Sequence, residues 1–271
     1  MEVHRHPHHV MQKKNWSEYL LEFLMLFLAV FLGFLAENQR EHFVDLRREK
    51  EYMVSMMEDL KTDSTFLSLY SHWRTRNDVA FDSLELIFRR SDYNKFGRDI
   101  YRYSWYATAF GSISVSARTI RQLENSGGLR LIRNKNVAQS INRHYLYVDR
   151  LQFHNETQRM FRMKLLESQS FVLDGATLAD FYNFPNQPVF NGLPDTMRIS
   201  YNFPNQKVFT VLPDTVRSFR LASNSPEKIN AYLNDIVTAK YFNRQVLHDV
   251  DSAQRSTLGL MKLIKSEYHL K

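Results

Sequence analysis

The chain is 271 residues long, carries 36 Lys and Arg against 29 Asp and Glu for a net charge of +7, and contains no Cys. The missing thiols exclude disulfides and thiolate metal sites. A mean hydropathy of −0.44 leaves room for no second spanning segment beside the one strongly apolar stretch near the start.

Residues 1–18 read as a short polar tail rich in His. His4, His6, His8 and His9 could gather a transition metal through neutral imidazoles, but a tail without a fixed scaffold holds metal poorly, so no metal site is assigned. Residues 19–36, YLLEFLMLFLAVFLGFLA, are apolar except for Glu22 and are expected to form a transmembrane helix. Counted from Leu20 the segment gives about 25 Å of helix. That is slightly short of the roughly 20 residues of a typical span, and it suffices if Glu22 sits at the headgroup level and the bilayer thins a little. Trp16 and Tyr19 are placed as an interfacial belt. Ala29 and Gly33 form a small-xxx-small pair through which two anchors can approach and self-associate.

Two other readings of this stretch compete. A cleavable signal peptide needs small residues before the cut, and Phe34, Leu35 and Ala36 offer only one of the two. A core helix would show an apolar stripe, whereas this segment is apolar on every face. Orientation is nearly tied by charge: Arg5, Lys13 and Lys14 precede the segment, and Arg40, Arg47, Arg48 and Lys50 follow it. A short tail inside and a large domain outside is permitted, because long domains translocate largely regardless of charge.

Residues 37–271 are expected to form an all-α domain, an antiparallel bundle of long helices. No Pro occurs between Pro7 and Pro185, and Gly is sparse across the same interval, which is the punctuation of a few long helices. No Pro or Gly interrupts residues 37–90, so the anchor is expected to run on into a long charged helix that either continues or restarts at Asp63. Phe43, Leu46, Met53, Met56, Met57 and Leu60, then Phe66, Leu67, Tyr70, Trp73, Phe81, Leu84, Ile87 and Phe88, supply its apolar seam. The Met-rich part reads as adaptable core rather than a cofactor site.

After a break at Ser91 to Gly97, a helix is expected over about Ser114 to Asn125, closed by Gly127 or Gly128 in the left-handed conformation. Asn134 is a good N-cap for the next, which places Val137, Ile141, Tyr145, Val148 and Leu151 inward and fades near Asp174. Ser225, Pro226 and Glu227 open the last helix, with Ile229, Leu233, Ile236, Leu247, Val250, Leu260 and Ile264 on its core face.

Before that last helix, residues 182–219 hold a tandem duplication. YNFPNQPVFNGLPDTMRIS is followed at once by YNFPNQKVFTVLPDTVRSF, and five of the seven prolines lie within the pair. The stretch reads as an extended, turn-rich loop, with Asn191-Gly192 as a hairpin turn. Two copies are too few for a solenoid. Either the loop presents Tyr, Phe and Asn to a protein partner, or it is a tolerated surface insertion, since lengthening a loop costs little entropy.

Charge is unevenly placed. Between Val115 and Leu165 ten basic side chains face three acidic ones, a surplus equal to the whole net charge of +7. Arg118, Arg121, Arg130, Arg133, Lys135 and Arg143 form the candidate patch for anionic lipid headgroups or an acidic partner; the competing reading is a solvated face. Nucleic acid is not assigned, for no recognised module is present. HExxH, phosphate-loop, GxSxG and Glu-x-x-His patterns are all missing, so no catalytic or cofactor-binding residue is assigned.

The run LLEFLMLFLAVFLGFLAENQRE, the phrase LENSGGLRLIRNKNVAQSINRHY and the closing LMKLIKSEY together resemble a family of uncharacterised single-pass helical membrane proteins common in Bacteroidota. The shared phrase corresponds here to Leu123, Ser126, Gly127 or Gly128, Leu131, Ile132 and Asn134. The resemblance implies a cytoplasmic (inner) membrane location with the main domain periplasmic, covers about half of the chain, and lapses over about Phe171 to Arg220. Three functions stay open: a non-catalytic interaction or scaffold protein, which leads, a ligand-sensing bundle at the membrane, and an enzyme of unrecognised type.

Overall fold

A computed structural model describes residues 15–182 and 219–270. The His-rich start and all but the ends of the duplicated loop lie outside the described residues. The elements in chain order are α1 (Trp16–Phe88), a 3-10 turn (Tyr93–Phe96), α2 (Gly97–Thr108), α3 (Arg118–Asn125), a second 3-10 turn (Gly128–Leu131), α4 (Lys135–Ser170), α5 (Gly175–Tyr182) and α6 (Pro226–Glu267). Among the described residues the only strand-like pairing is an isolated bridge between Leu173 and Leu221.

By internal contacts the chain divides into Met1–Glu51 and Tyr52–Lys271, and α1 contributes to both. In the first unit every described residue up to Phe43 is exposed. Its 18-residue apolar window has a mean hydropathy of 2.3 and none of it is buried. Phe23, Phe27 and Phe31 stack along one face at centroid spacings of 6.4 and 5.9 Å, the i,i+4 geometry of a helix surface. Phe43 and Leu46, expected on the core seam, are exposed as well.

Beside other buried residues such as Met57, Asp59, Phe66, Trp73, Ala80 and Asp249, each long helix of the second unit carries a run of buried positions spaced alternately by three and four. On α1 they are Met53, Met56, Leu60, Asp63, Leu67, Tyr70, Arg74, Asn77, Phe81, Leu84 and Phe88; on α6 they are Ile229, Tyr232, Ile236, Ala239, Asn243, Val246, Val250, Ala253, Thr257, Leu260 and Ile264. Helix α4 keeps the same spacing from Val137 through Ile141, His144, Val148, Leu151 and Asn155 to Gln158. Such spacing holds one seam of each helix toward its partners. The apolar members gather into three clusters, one around Met53, Val137 and Leu260, one around Leu67, Leu151 and Val250, and one around Phe81, Leu165 and Ile236.

Cross-helix bonds set the polarity. Arg244 reaches Asp78 at 3.1 Å and Lys240 reaches Glu85 at 2.7 Å, so α6 runs against α1. Arg150 meets Asp249 at 2.8 Å and Phe161 stacks on Phe242 at 4.1 Å, so α6 also runs against α4. Helices α1 and α4 instead run in the same sense, with Tyr70 donating to Asn155 at 2.5 Å and Arg74 donating to Gln158 one turn further along both. The expected antiparallel order therefore describes α6 alone, because residues 89–134 form a crossover that returns the chain to its starting end.

That crossover is fastened mainly through side chains of α1. Asn77 Nδ2 donates to the Tyr106 and Ala109 carbonyls at 2.7 and 3.0 Å, and Asp63 accepts the Ser116 amide at 2.7 Å. Asp59 accepts the Thr119 amide and hydroxyl and pairs with Arg118 at 2.8 Å. Ala117, the residue preceding α3, has no capping side chain of its own, and the Asp59 carboxylate satisfies one of the first-turn amides that would otherwise lack a partner. Gly127 holds the left-handed conformation at φ 67°, and Asn134 caps α4 by accepting the amides of Asn136 and Val137.

Candidate functional site

The apolar segment presents Trp16 and Tyr19 exposed at its start, and Glu22 one turn further on is exposed too. Ala29 is exposed, and Gly33 has no atom within 4 Å of where a Cβ would stand, so this helix surface is open.

The six basic residues of the patch divide by role. Arg118 is held in the ion pair with the buried Asp59 and is part of the crossover's attachment. Arg121 on α3, Arg130 in the second 3-10 turn, Arg133 and Lys135 are exposed around the α3–α4 junction. The Arg130 guanidinium folds back over Gly127, 3.1 Å from where a Cβ would sit. Arg143 lies two turns along α4 and lines a groove of about 290 Å³ between α4 and α6. A second groove, of about 430 Å³, runs between α1 and α6 and is lined by hydroxyls with His72, Asp251 and Gln254.

Beneath these surfaces the core contains polar residues at the same three-and-four positions as its apolar ones. Arg74 is fully buried, donates to the side-chain oxygens of Asn155 and Gln158, and packs beside the Tyr70 and Trp73 rings. Burial lowers its pKa from the usual arginine value and pushes the Tyr70 phenol up to about 12, so Tyr70 stays a neutral donor. Arg74 Nε and Nη1 and the Asn77 and Asn243 oxygens meet no hydrogen-bond partner among the described residues. The best-attested use of a buried polar layer between helices is to forbid other registers. Sequence spacing pointed to none of these, since Arg74, Asn155 and Asn243 come from three helices far apart in the chain.

Two further buried groups titrate unusually. Burial raises the Asp63 carboxyl to about 7, with a contribution from the neighbouring Asp59 charge, against the Ser116 amide that favours its ionised form. Burial also opposes ionisation of Asp59, but the bonds from Thr119, Ser116 and Arg118 outweigh it and leave its pKa below the usual value. His144, with no hydrogen-bond partner for either ring nitrogen, is pushed down to about 4 by burial. Across the α4–α6 interface Asp249 is buried between Arg150, His154 and His248. Among the described residues no three His, Asp or Glu side chains converge as a metal centre.

Comparison with protein-family models, curated proteins and solved structures finds no match to this chain. The candidate site therefore rests on geometry alone: among the described residues, an exposed apolar helical segment, a basic junction, and the grooves that α6 forms with α4 and with α1.

Proposed function

We propose that this chain is a single-pass protein of the cytoplasmic (inner) membrane, anchored by residues 19–36, whose helical-bundle domain acts as a non-catalytic interaction or scaffold protein. The observation that carries the proposal is the exposure of the whole apolar window, none of which is buried. A soluble core helix would hide such a surface, because a contiguous exposed apolar patch of this extent favours lipid or a partner. The resemblance to Bacteroidota single-pass proteins supports placing the main domain in the periplasm.

Partner binding is assigned to the junction formed by Arg121, Arg130, Arg133 and Lys135, with the duplicated loop as a second contact for a protein partner. Self-association through Ala29 and Gly33 is the homo-oligomeric alternative. The non-catalytic reading is supported by the use of the buried polar groups, which join helices to one another and to the crossover. A ligand-sensing bundle is the second reading, and the α4–α6 groove is what favours it.

Crosslinking and affinity capture from native membranes test this. Wild type is expected to recover a reproducible partner that the triple charge reversal of Arg130, Arg133 and Lys135 to Glu loses. Identical recovery by both forms would remove the basic junction from the account.

A further inference from the structure

We propose that the groove between α4 and α6 is a binding site for a phosphate monoester, with Arg143 and Arg255 as its two guanidinium clamps. Helix α4 supplies Ser140, Arg143 and Tyr147, and α6 supplies Ser252, Arg255 and Ser256. The two sets stand at i, i+3, i+7 and i, i+3, i+4, each one face of its helix. They flank the buried positions Ile141, His144 and Val148 on α4 and Ala253, Thr257 and Leu260 on α6. The groove thus sits directly on the core seam rather than on a mobile rim.

Its shape follows from residue size. Ser140, Ser252 and Ser256 are small, and Gly259 has no atom within 4 Å of a Cβ position, so the trough stays open where larger side chains would close it. At about 290 Å³ it lies at the small end of ligand sites, which run from about 300 to 1,000 Å³. A small headgroup fits that volume.

Its chemistry favours a tetrahedral oxyanion. Arg143 has no acidic partner among the described residues, and Arg255 pairs with Asp251 one turn back on α6, which leaves the groove with a net positive charge. Guanidinium forks match phosphate oxygens in pairs, and serine hydroxyls and a phenol beside them can donate to the remaining oxygens. Ser252 already donates to the His248 carbonyl at 3.0 Å, so Ser140, Ser256 and Tyr147 are the hydroxyls assigned to the ligand. A planar carboxylate would occupy one fork and leave the others to water. The Asp251 carboxylate is engaged by Arg255, which offsets its repulsion of an anion in the groove.

This site is separate from the basic junction, and it stands whether or not that junction binds a partner. The same chemistry could reach the groove on a soluble metabolite or on a lipid headgroup. Full-length protein in neutral phosphatidylcholine nanodiscs is titrated with glycerol 3-phosphate by calorimetry; in a parallel arm, nanodiscs containing phosphatidic acid are compared by retained lipid after purification. Saturable binding in the first arm identifies a soluble ligand, and selective lipid retention in the second identifies a headgroup.

In whichever arm binds, Arg143→Gln and Gly259→Leu are each expected to weaken binding at least tenfold. The leucine blocks the trough sterically, and leaving glycine favours the helix, so loss of binding with an unchanged helical circular-dichroism spectrum reads occupancy rather than unfolding. Absence of binding in both arms, or binding that neither variant weakens, overturns the proposal.

Discussion

Asp63 and His144 are buried on neighbouring helices and pull stability in opposite directions as pH changes. Folded Asp63 keeps its proton up to about pH 7, whereas the unfolded chain releases it near the ordinary aspartate value. The folded state binds the extra proton between those limits, so its contribution is lost as pH rises from about 4 to about 7. Folded His144 refuses its proton until about pH 4, whereas the unfolded chain takes one near pH 6.5. Stability is therefore lost as pH falls through that second window. The two windows overlap and offset each other, which predicts a flat stability profile for wild type between about pH 4 and 7. Single variants should expose each component in urea unfolding. His144→Leu is expected to gain about 2 kcal/mol at pH 5 with little pH-linked gain at pH 8, and Asp63→Asn on the order of 2–4 kcal/mol at pH 8 with little at pH 4. Equal effects of either variant at both pH values would show that these groups do not titrate as described.

At the scale of the elements, α2 and residue 219 approach closely through their backbones. A Cβ on Gly97 would stand 2.0 Å from the Phe219 carbonyl oxygen, and Phe219 packs against Tyr101 at 6.0 Å. Alanine would ordinarily favour a helix over glycine by about 1 kcal/mol. Here Gly97→Ala is expected to lower stability instead, by roughly 1–3 kcal/mol, because overpacking must displace backbone. A raised Tm in thermal unfolding would contradict the close approach. Gly97 also shows why α2 was not legible in the sequence. The helix opens on a glycine, and it buries Tyr101 and Ser104 beside Ile100, so its inward face does not read as an apolar stripe.

Local chemistry was legible where it sufficed. Asn134 announced the start of α4, and Ser225-Pro226 announced α6. The parallel sense of α1 and α4 was not, because a 46-residue crossover from 89 to 134 carries no directional signal of its own. The buried polar positions of α1 were hidden for a related reason: Asp63, Arg74 and Asn77 interrupt the apolar pattern and read as surface. Of the groove, Arg143 could be singled out as basic, but Arg255 lies on a distant helix. The signal that could have paired them is the recurrence of small residues beside an arginine at helical spacing, Ser140 with Arg143 and Ser252, Ser256 and Gly259 with Arg255.

For the whole molecule, the chain is two chemically distinct units. In the first, residues 19–36 present exposed apolar surface, whereas residues from 52 onward close their apolar surface around three clusters. Water is a poor solvent for the first and a good one for the second. Exposing about 18 apolar residues costs far more than any surface ion pair of this chain returns, at about 25 cal/mol per Å². A bilayer resolves that imbalance without a protein partner. Alkaline carbonate extraction of membranes carrying the intact 32.3 kDa chain tests this most directly. The full-length chain is expected to remain with the pelleted bilayer and to leave it only in detergent; recovery in the carbonate supernatant, whether intact or shortened by its apolar segment, would contradict the membrane anchor.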